Sequence, residues 1–155
     1  MLSIIQIEDL PPQLTDLERE AATQGFRFLG RLIEEWETGK NRFDKLGERL
    51  LVATYNGRLV GIGGLNVDPY DATGDTGRLR RLYVANDFRR RGIGEALVRE
   101  LLSDAHHRFR GVRLSTDTDA AAAFYSRLGF ARIEDANATH MLLMSAVGAA
   151  AGESH

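Results

Sequence analysis

The amino-acid sequence predicts a single α/β domain built around a mixed β-sheet. Its 155 residues match the usual length of one domain, and 43% of them are hydrophobic, which is enough for one core. Segments with strand character alternate with segments of helical periodicity in the order β-α-β-β-β-α-β-α-β-β. No repeat or linker interrupts this order, so we assign residues 1–147 to one domain and expect residues 148–155 to form a flexible tail.

The chain opens with a strand and a long helical region. Leu2–Ile7 is a short apolar run typical of a first strand. From Leu14 to Trp36, apolar residues recur at spacings of three and four, which is the period of an amphipathic helix. We expect Gly25 or Gly30 to break this region and Gly39 to end it.

Three central strands follow the helical region. Arg49–Tyr55 and Arg58–Val67 have strand character, and the Asn56-Gly57 pair between them accepts the positive φ angles of a type I′ turn. These residues therefore predict a β-hairpin. Asp68–Gly77 is a turn-rich loop, and Arg78–Val84 alternates as a fourth strand. The alternation predicts one face with Leu79, Arg81 and Tyr83 and an opposite face with Arg80, Leu82 and Val84.

The C-terminal half completes the order with two helices and three strands. Apolar residues between Leu97 and Ala105 form a helical stripe. Gly129 is expected just after the second helix, where a left-handed residue is favoured. The remaining elements are a strand at Val112–Thr116, a helix at Ala120–Leu128, and strands at Phe130–Ile133 and His140–Ala146.

Charge is divided unevenly along the chain, although the net charge is only −2. Residues 1–75 carry 8 basic and 13 acidic groups (−5), residues 76–113 carry 10 and 4 (+6), and residues 114–155 carry 2 and 5 (−3). A central cationic block in an acidic protein indicates a local anion site. A protein that binds nucleic acid over a broad face is more often basic throughout, so we expect no nucleic-acid partner.

The composition argues against several other kinds of site. The sequence has no Cys, which excludes disulfides, thiolate metal ligands and thiol catalysis, and fits a reducing cytoplasm. No apolar run approaches the roughly 20 residues that a membrane span needs, and the N-terminus lacks signal-peptide features. We therefore expect a cytoplasmic protein with no membrane partner and no metal.

The first chemical motif lies where a strand runs through a short loop into a helix, at Leu82–Leu97. Gly92 and Gly94 let the backbone approach a ligand closely. The first N–H groups of the helix lack internal acceptors and lie at its positive end, so they suit a pyrophosphate. A Walker loop needs Gly-Lys-Ser/Thr, and a dinucleotide fingerprint needs a small residue where Leu97 stands, so both are excluded. The loop also carries Arg89, Arg90 and Arg91, and the alternative is an exposed Arg-rich loop without a ligand.

The second motif is a short helix that carries a tyrosine. Four alanines at its start, Ala120–Ala123, let this helix pack close to a neighbour. Tyr125 lies one turn before the helix end, where its phenol can donate a proton or a hydrogen bond. The alternative is a core aromatic, because aromatic side chains on short helices usually pack inside the protein.

Together these motifs resemble the two signatures of the GNAT superfamily of N-acetyltransferases. Arg89-x-x-Gly92-x-Gly94 after a strand resembles the acyl-CoA-binding motif of that family. The run Ala121-x-x-Phe124-Tyr125-Ser126-Arg127-Leu128-Gly129-Phe130 is similar to its second signature, and the order and separation of the motifs also match. The resemblance extends from the first strand to about Val147, as in a small single-domain bacterial-type member.

The resemblance implies a fold in which strands four and five splay apart and acetyl-CoA, the cosubstrate, enters the gap. Tyr125 would be the catalytic residue that hydrogen-bonds the CoA sulfur and protonates the leaving thiolate. Thr118 stands where many members have Asn, and it can still hydrogen-bond and cap the helix. The pantetheine would bind the backbone of Leu82, Tyr83 and Val84, and the pyrophosphate would bind at Arg89, Arg90, Arg91, Gly92, Ile93, Gly94 and Glu95. The CoA phosphates would also draw on Arg78, Arg80 and Arg81.

The implied reaction is direct attack of a primary amine on the thioester, catalysed by an acetyl-CoA-dependent N-acetyltransferase. The amide of Leu82 or Tyr83 would polarise the carbonyl. In relatives the segment Gly25–Trp36 forms one wall of the acceptor pocket, and its acidic surroundings favour a small cationic or amphipathic amine. Asn66 and Tyr70 would also line this pocket. The general base stays open between a water chain and three carboxylates that are otherwise solvated surface groups: Glu34, Glu35 and Asp68.

Other interpretations stay open at this point. A GNAT-like domain could sense acyl-CoA or dock a partner without turnover. The arginine cluster could bind nucleic acid, with strongly salt-dependent affinity. His140 and the pair His106-His107 are expected to be structural. The last strand and the tail could pair with a second copy to give a homodimer.

Overall fold

The computed structural model describes residues 1–144, so the predicted strand end at Ala146 and the predicted tail lie outside the described residues. The strands are β1 (Leu2–Gln6), β2 (Arg49–Tyr55), β3 (Arg58–Val67), β4 (Thr76–Val84), β5 (Gly111–Leu114), β6 (Ala131–Asp135) and β7 (Ala138–Leu143). The helices are α1 (Leu14–Thr23), α2 (Phe28–Thr38), α3 (Ile93–Leu102) and α4 (Asp119–Arg127), with 3₁₀ turns at Asn86–Phe88 and Ala105–His107.

The seven strands form one mixed sheet in the order β1-β2-β3-β4-β5-β7-β6. All neighbours are antiparallel except β4 and β5, which are parallel and are connected through α3. The predicted mixed α/β fold is confirmed. The predicted hairpin is confirmed as well, because Asn56 and Gly57 have φ angles of 50° and 86°, as a type I′ turn requires.

Glycines divide the N-terminal helical region in the predicted manner. Gly25, with a φ angle of 87°, separates α1 from α2, whereas Gly30 lies inside α2. Gly39 ends α2 in a left-handed conformation, with a φ angle of 80°. Both conformations cost a residue with a Cβ atom more than they cost glycine.

A β-bulge in β4 overturns the predicted faces of this strand. Tyr83 pairs with Ile62 and Arg80 pairs with Gly64, so two residues of β4 oppose one residue of β3. Arg81 lies in the bulge and has a φ angle of 63°. The extra residue shifts the alternation, so Tyr83 shares a face with Arg80 and not with Leu79. The bulge thus brings Arg80, Arg81 and Tyr83 to one side of the sheet.

Helices cover both faces of the sheet. On one face, α3 approaches β3 so closely that a Cβ atom on Gly61 would stand 3.1 Å from the buried Leu97. On the other face, the ring of Tyr83 lies 6.4 and 6.3 Å from the rings of Phe26 and Phe28, where α1 connects to α2. This packing fixes the position of α3 and of the loop that leads into it.

None of the helices within residues 1–144 has both the length and the apolar character that a membrane crossing requires.

Strands β4 and β5 separate after three paired positions. Residues 76–78 pair with residues 111–113, after which β4 continues to Val84 while β5 ends at Leu114. Among the described residues, no strand pairs with this side of β4 beyond Arg78. The predicted splaying of strands four and five is therefore confirmed, and it leaves a gap beside the C-terminal half of β4.

The last strand does not lie at the edge of the sheet. β7 pairs with β5 on one side and with β6 on the other. The edge strands of the described sheet are β1 and β6. The predicted homodimer contact through β7 is therefore not supported, because a strand with two neighbours offers no free edge over its paired length.

Candidate active site

A row of unpaired backbone amides marks the start of α3. Arg90 and Gly92 have left-handed φ angles of 65° and 79°, which turn the loop into the helix. Within residues 1–144, the N–H groups of residues 90–95 donate to no acceptor, and no side chain caps α3. Consecutive donors at the positive end of a helix dipole form an anion site suited to a pyrophosphate. The structure therefore brings together the amides of the predicted loop, and we call them the amide row.

Arg89 folds back from this loop onto β4. Its Nε donates to the Val84 carbonyl at 3.0 Å, and its guanidinium carbon lies 5.2 Å from the centre of the Tyr83 ring. Arg90 and Arg91 are exposed next to it. The three side chains bring positive charge to the amide row. Arg89 already donates a hydrogen bond to one of the backbone carbonyls that are predicted to bind the pantetheine.

Only some of the backbone groups that are predicted to bind the pantetheine face the gap. The Ala85 N–H donates at 2.8 Å to the carbonyl of Val60 on β3. Backbone groups of successive strand residues point to opposite edges, so those of Tyr83 also point to β3 while those of Val84 point to the gap. Of the two amides predicted to polarise the carbonyl, the structure directs that of Tyr83 away from the gap. Leu82, beside the bulge, remains the candidate.

The side chain of Tyr83 ties α1 to the start of the loop. Tyr83 is 4% exposed, and its hydroxyl donates to Glu20 and accepts from Gln24 Nε2 at 2.9 Å. Glu20 also accepts from the Asn86 N–H at 3.0 Å. Burial, followed by the Glu20 carboxylate, raises the pKa of Tyr83 to about 12. Sequence reasoning missed Glu20. The i, i+4 spacing of Glu20 and Gln24 shows that they share a helix face, but it does not show that this face meets Tyr83.

Tyr125 is half-buried in a group of aromatic rings. Its ring meets those of Phe124 and Phe130 edge-on, with centres 4.9 and 5.7 Å apart. Burial raises the pKa of Tyr125 to about 12, with no contribution from a hydrogen bond within the described residues. The phenol therefore keeps its proton at neutral pH and offers a hydrogen bond.

The two predicted motifs are neighbours in space. A Cβ atom on Gly94 would stand 3.5 Å from the ring of Phe124, so α4 lies against the first turn of α3. Thr118 caps α4 by accepting the Ala121 N–H at 3.1 Å, as the sequence predicts. The hydroxyl hydrogen of Thr118 stays available as a donor.

The arginines of β4 do not join the amide row. Arg78, Arg80 and Arg81, which we call the strand arginines, lie on the face of the sheet that α2 covers, opposite to α3. Arg81 Nη2 lies 3.1 Å from Glu35 Oε1 on α2. Arg78 Nη2 donates to Ser115 Oγ at 3.0 Å. The prediction that these side chains serve the CoA phosphates is therefore wrong, because the bulge and the sheet separate them from α3.

Two of the three predicted candidates for the general base are already paired. Asp68 is fully buried, and its Oδ2 lies 2.7 Å from Arg113 Nε and 3.6 Å from Arg78 Nη1. Its Oδ1 accepts the Tyr70 N–H at 3.0 Å, so Asp68 is neither solvated nor free. Glu35 pairs with a strand arginine, and Glu34 is exposed on α2.

Asn66 and His140, two other polar residues singled out in the sequence, are buried, and each contacts a polar side chain, whereas Tyr70 and His107 are exposed. The Asn66 and Asn41 side-chain amides exchange two hydrogen bonds of 3.0 Å. His140 is 1% exposed, with Nδ1 2.8 Å from Thr139 Oγ1, and burial lowers its pKa. Across residues 1–144, the His, Asp and Glu side chains form no group of three that could hold a metal ion.

Comparison with known proteins gives consistent findings. A family model for the acetyltransferase (GNAT) domain matches residues 46–132, a segment that contains both motifs. A proposed acetyltransferase from Exiguobacterium sp. 255-15 is 26% identical, with 92% of this chain and 93% of that chain covered and a TM-score of 0.82. A proposed GNAT-family acetyltransferase from Desulfovibrio desulfuricans is 19% identical, with 94% and 100% covered and a TM-score of 0.73. A mutant of the AtaT toxin, bound to acetyl-CoA and the C-terminus of the antitoxin AtaR, is 15% identical, with 92% and 93% covered and a TM-score of 0.68.

Proposed function

The chain belongs to the GNAT acetyltransferase family, and we propose that this acyltransferase transfers the acetyl group of acetyl-CoA to a primary amine by direct attack. One observation carries the proposal: the amide row at residues 90–95 stands next to the gap where β4 and β5 separate. The row suits a pyrophosphate, and the gap exposes a strand edge to a pantetheine. The proposed location is the cytoplasm, which supplies acetyl-CoA.

Backbone groups would do most of the work of holding acetyl-CoA. The amide row would bind the pyrophosphate, with Arg90 and Arg91 adding positive charge. The Val84 carbonyl points to the gap and would accept a pantetheine N–H once Arg89 Nε leaves it. The free hydroxyl hydrogen of Thr118 would supply a further donor.

The reaction forms one bond and breaks one. The neutral amine attacks the thioester carbonyl, a C–N bond forms, and the carbonyl electrons move to oxygen, where the Leu82 amide is the candidate donor. The attacking nitrogen loses one proton to water, and collapse of the tetrahedral intermediate breaks the C–S bond, so the products are the acetylated amine and the CoA thiolate. Because the pKa of Tyr125 is about 12 and that of a thiol is about 8.5, the phenol would stabilise the thiolate chiefly by hydrogen bonding.

We propose that water removes the proton from the amine. Asp68 and Glu35 are held in ion pairs, so neither carboxylate is free to act as the base. The positive strand arginines beside the gap disfavour an ammonium ion there, which lowers the pKa of a bound amine. The neutral amine then forms without a dedicated carboxylate.

The proposal is tested first by binding and turnover. Calorimetry with acetyl-CoA should show saturable binding, and thiol release over a panel of amines should identify at least one acceptor. Binding without release for any amine would support an acyl-CoA sensor instead of an enzyme. Absence of acetyl-CoA binding would overturn both functions.

Replacement of the phenol tests its role directly. Tyr125→Phe removes one hydrogen bond to a charged leaving group, and we expect kcat to fall about ten- to a hundredfold with an unchanged Kd for acetyl-CoA. The matched control is Tyr55→Phe, because β3 separates β2 from β4 and the substitution keeps the ring that contacts Phe88 while it removes only the hydroxyl. An unchanged kcat in Tyr125→Phe would remove this residue from the mechanism.

A further inference from the structure

The strand arginines border the gap on the face that α2 covers. Pairing between β4 and β5 ends at Arg78 and Arg113, so Arg80 and Arg81 lie on the part of β4 that has no strand partner on the side of the gap. Arg78 and Arg81 are 9% and 8% exposed. Burial lowers the pKa of all three strand arginines, although a guanidinium stays charged at physiological pH.

Positive charge exceeds negative charge in this region. The carboxylates that face it are those of Asp68, Glu35 and Asp135, and each already pairs with an arginine. Arg31 on α2 adds a further positive charge near Arg81. Among the described residues, Arg80 has no ion-pair partner. Glu35 and Asp68 act on Arg80 only at longer range, so within residues 1–144 one guanidinium beside the gap has no counter-ion in direct contact.

Two buried nitrogen atoms in the same cluster lack acceptors. Arg81 Nε and Arg78 Nη1 are inaccessible to solvent and make no hydrogen bond within residues 1–144. The carboxylate oxygen that pairs with Arg78 Nη1 lies 3.6 Å from it, too far for a hydrogen bond. A buried donor without an acceptor destabilises the protein, so a ligand that supplies oxygen atoms here is favoured. These donors and the unpaired Arg80 are independent observations that point to the same ligand chemistry.

We propose that the acceptor is a small amine that also carries a carboxylate, and that the strand arginines bind this carboxylate with Arg80 as the main contact. The inference rests on the proposed acetyl transfer and names the acceptor class. A carboxylate matches the planar, forked guanidinium, which can donate two parallel hydrogen bonds. A carboxylate bound at Arg80 keeps the molecule beside the gap, where the amine meets the thioester.

This acceptor class replaces the cationic amine that the charge of residues 1–75 predicts. In the structure, the carboxylates of that segment that face β4 are already used. Glu35 pairs with Arg81, and Glu20 accepts from Tyr83 and Asn86. The remaining positive charge would repel a purely cationic acceptor and attract an anionic group.

The test measures thiol release with matched amines. α-Amino acids, β-alanine and γ-aminobutyrate are each compared with their own carboxamide, and spermidine serves as a cationic acceptor. We expect kcat/KM for at least one carboxylate to exceed that of its carboxamide about tenfold or more, because hydrogen bonds to charged groups contribute at this level. A preference for spermidine or for the carboxamides would overturn the inference.

Substitution of Arg80 tests whether the strand arginines cause the preference for an acceptor with a carboxylate. Arg80→Gln should raise KM for the carboxylate about tenfold or more, lower kcat/KM for the carboxylate by a clearly larger factor than for its carboxamide, and leave the Kd for acetyl-CoA unchanged. Arg80→Lys should restore part of the preference, since it keeps the charge and loses the fork. Arg19→Gln, at an exposed pair on α1, is the control. An unchanged preference in Arg80→Gln would also overturn the inference.

A direct binding measurement separates this inference from the proposed function. The same carboxylates are titrated by calorimetry into the protein saturated with CoA. Binding that is lost in Arg80→Gln, together with no thiol release for any amine, would support the carboxylate site and contradict acetyl transfer. Thiol release without Arg80-dependent carboxylate binding would support acetyl transfer and contradict the carboxylate site.

Discussion

The strand arginines and the loop arginines Arg89–Arg91 belong to the same cationic block but occupy opposite environments. The loop arginines lie at the surface beside the amide row. Arg78 and Arg81 are buried; Glu35 on α2 pairs with Arg81, and Asp68 and Ser115 orient Arg78. The loop therefore holds its donors in the backbone, whereas the strand holds them in side chains. Each region contributes three arginines to the sequence. Only the fold shows that one set lies at the surface beside the amide row and that the other lies within the sheet face covered by α2.

The difference predicts which region tolerates substitution. The side chain of a loop arginine can be lost without disturbing the amides, because the turn into α3 depends on the backbone conformations at positions 90 and 92. A strand arginine, or a carboxylate that pairs with it, leaves a buried charge behind when its partner is removed. Substitutions in the strand region should therefore lower the free energy of unfolding, whereas substitutions in the loop should weaken the binding of acetyl-CoA.

The largest expected effect is the loss of Asp68. Asp68→Ala removes the carboxylate between Arg113 and Arg78 and leaves both cations buried, so we expect the free energy of unfolding to fall by about 3–5 kcal/mol. Urea unfolding measures the change. Asp16→Asn, at an exposed pair with Arg19, is the control and should lose less than about 0.5 kcal/mol. A loss below about 1 kcal/mol in Asp68→Ala would contradict the distinction between the two regions.

A smaller effect is expected from the loop. Arg90→Gln removes one exposed charge beside the amide row, so the Kd for acetyl-CoA should rise no more than about fivefold. The rise should shrink at high salt, because solvent-exposed charges are screened. Calorimetry at two salt concentrations, together with urea unfolding, tests both points. A loss of stability comparable to that in Asp68→Ala would show that the loop is not the tolerant region.

The smallest effect concerns Tyr83, whose ring lies under Arg89, and Tyr125, which lies beside α3. Both have a pKa of about 12, whereas tyrosine in an unfolded chain titrates near pH 10. The folded state therefore binds these protons more tightly. Their contribution to stability is complete below about pH 10 and is lost as the pH rises from about 10 to 12.

Ultraviolet titration of the phenolates tests this expectation. Two of the four tyrosines should ionise only near the upper end of that range, while circular dichroism still reports a folded protein. Tyr125→Phe should remove one late proton. Ionisation of all four tyrosines together near pH 10 in the folded protein would contradict the assigned environments.

Local signals explain what the sequence could predict. The hairpin at Asn56-Gly57, the helix end at Gly39 and the turn at Gly129 each depend on the conformation of one or two residues. The amide row was predictable for the same reason, since the first amides of any helix lack internal acceptors. These four predictions therefore needed no knowledge of distant contacts.

The predictions that failed depend on contacts between segments that lie far apart in the sequence. The bulge at Arg81 places a residue other than glycine at a φ angle of 63°, and its position is defined by pairing with β3. The assignment of the strand arginines to CoA failed for this reason. The pairing of Asp68 with Arg113 spans 45 residues, and the contact of Glu20 with Tyr83 spans 63. No periodicity within a segment encodes such partners.

The contact between Arg89 and Val84 has a kinetic consequence. In the free protein the Val84 carbonyl is already satisfied by the guanidinium, at 3.0 Å. A pantetheine amide that takes this carbonyl would exchange one hydrogen bond for another, so the step would add little to the equilibrium affinity. The displacement would instead slow entry, and Arg89→Met would open the edge of β4 and quicken association. If the pantetheine binds Val84 as proposed, Arg89 would leave this carbonyl when the cosubstrate arrives and return to it when the cosubstrate departs.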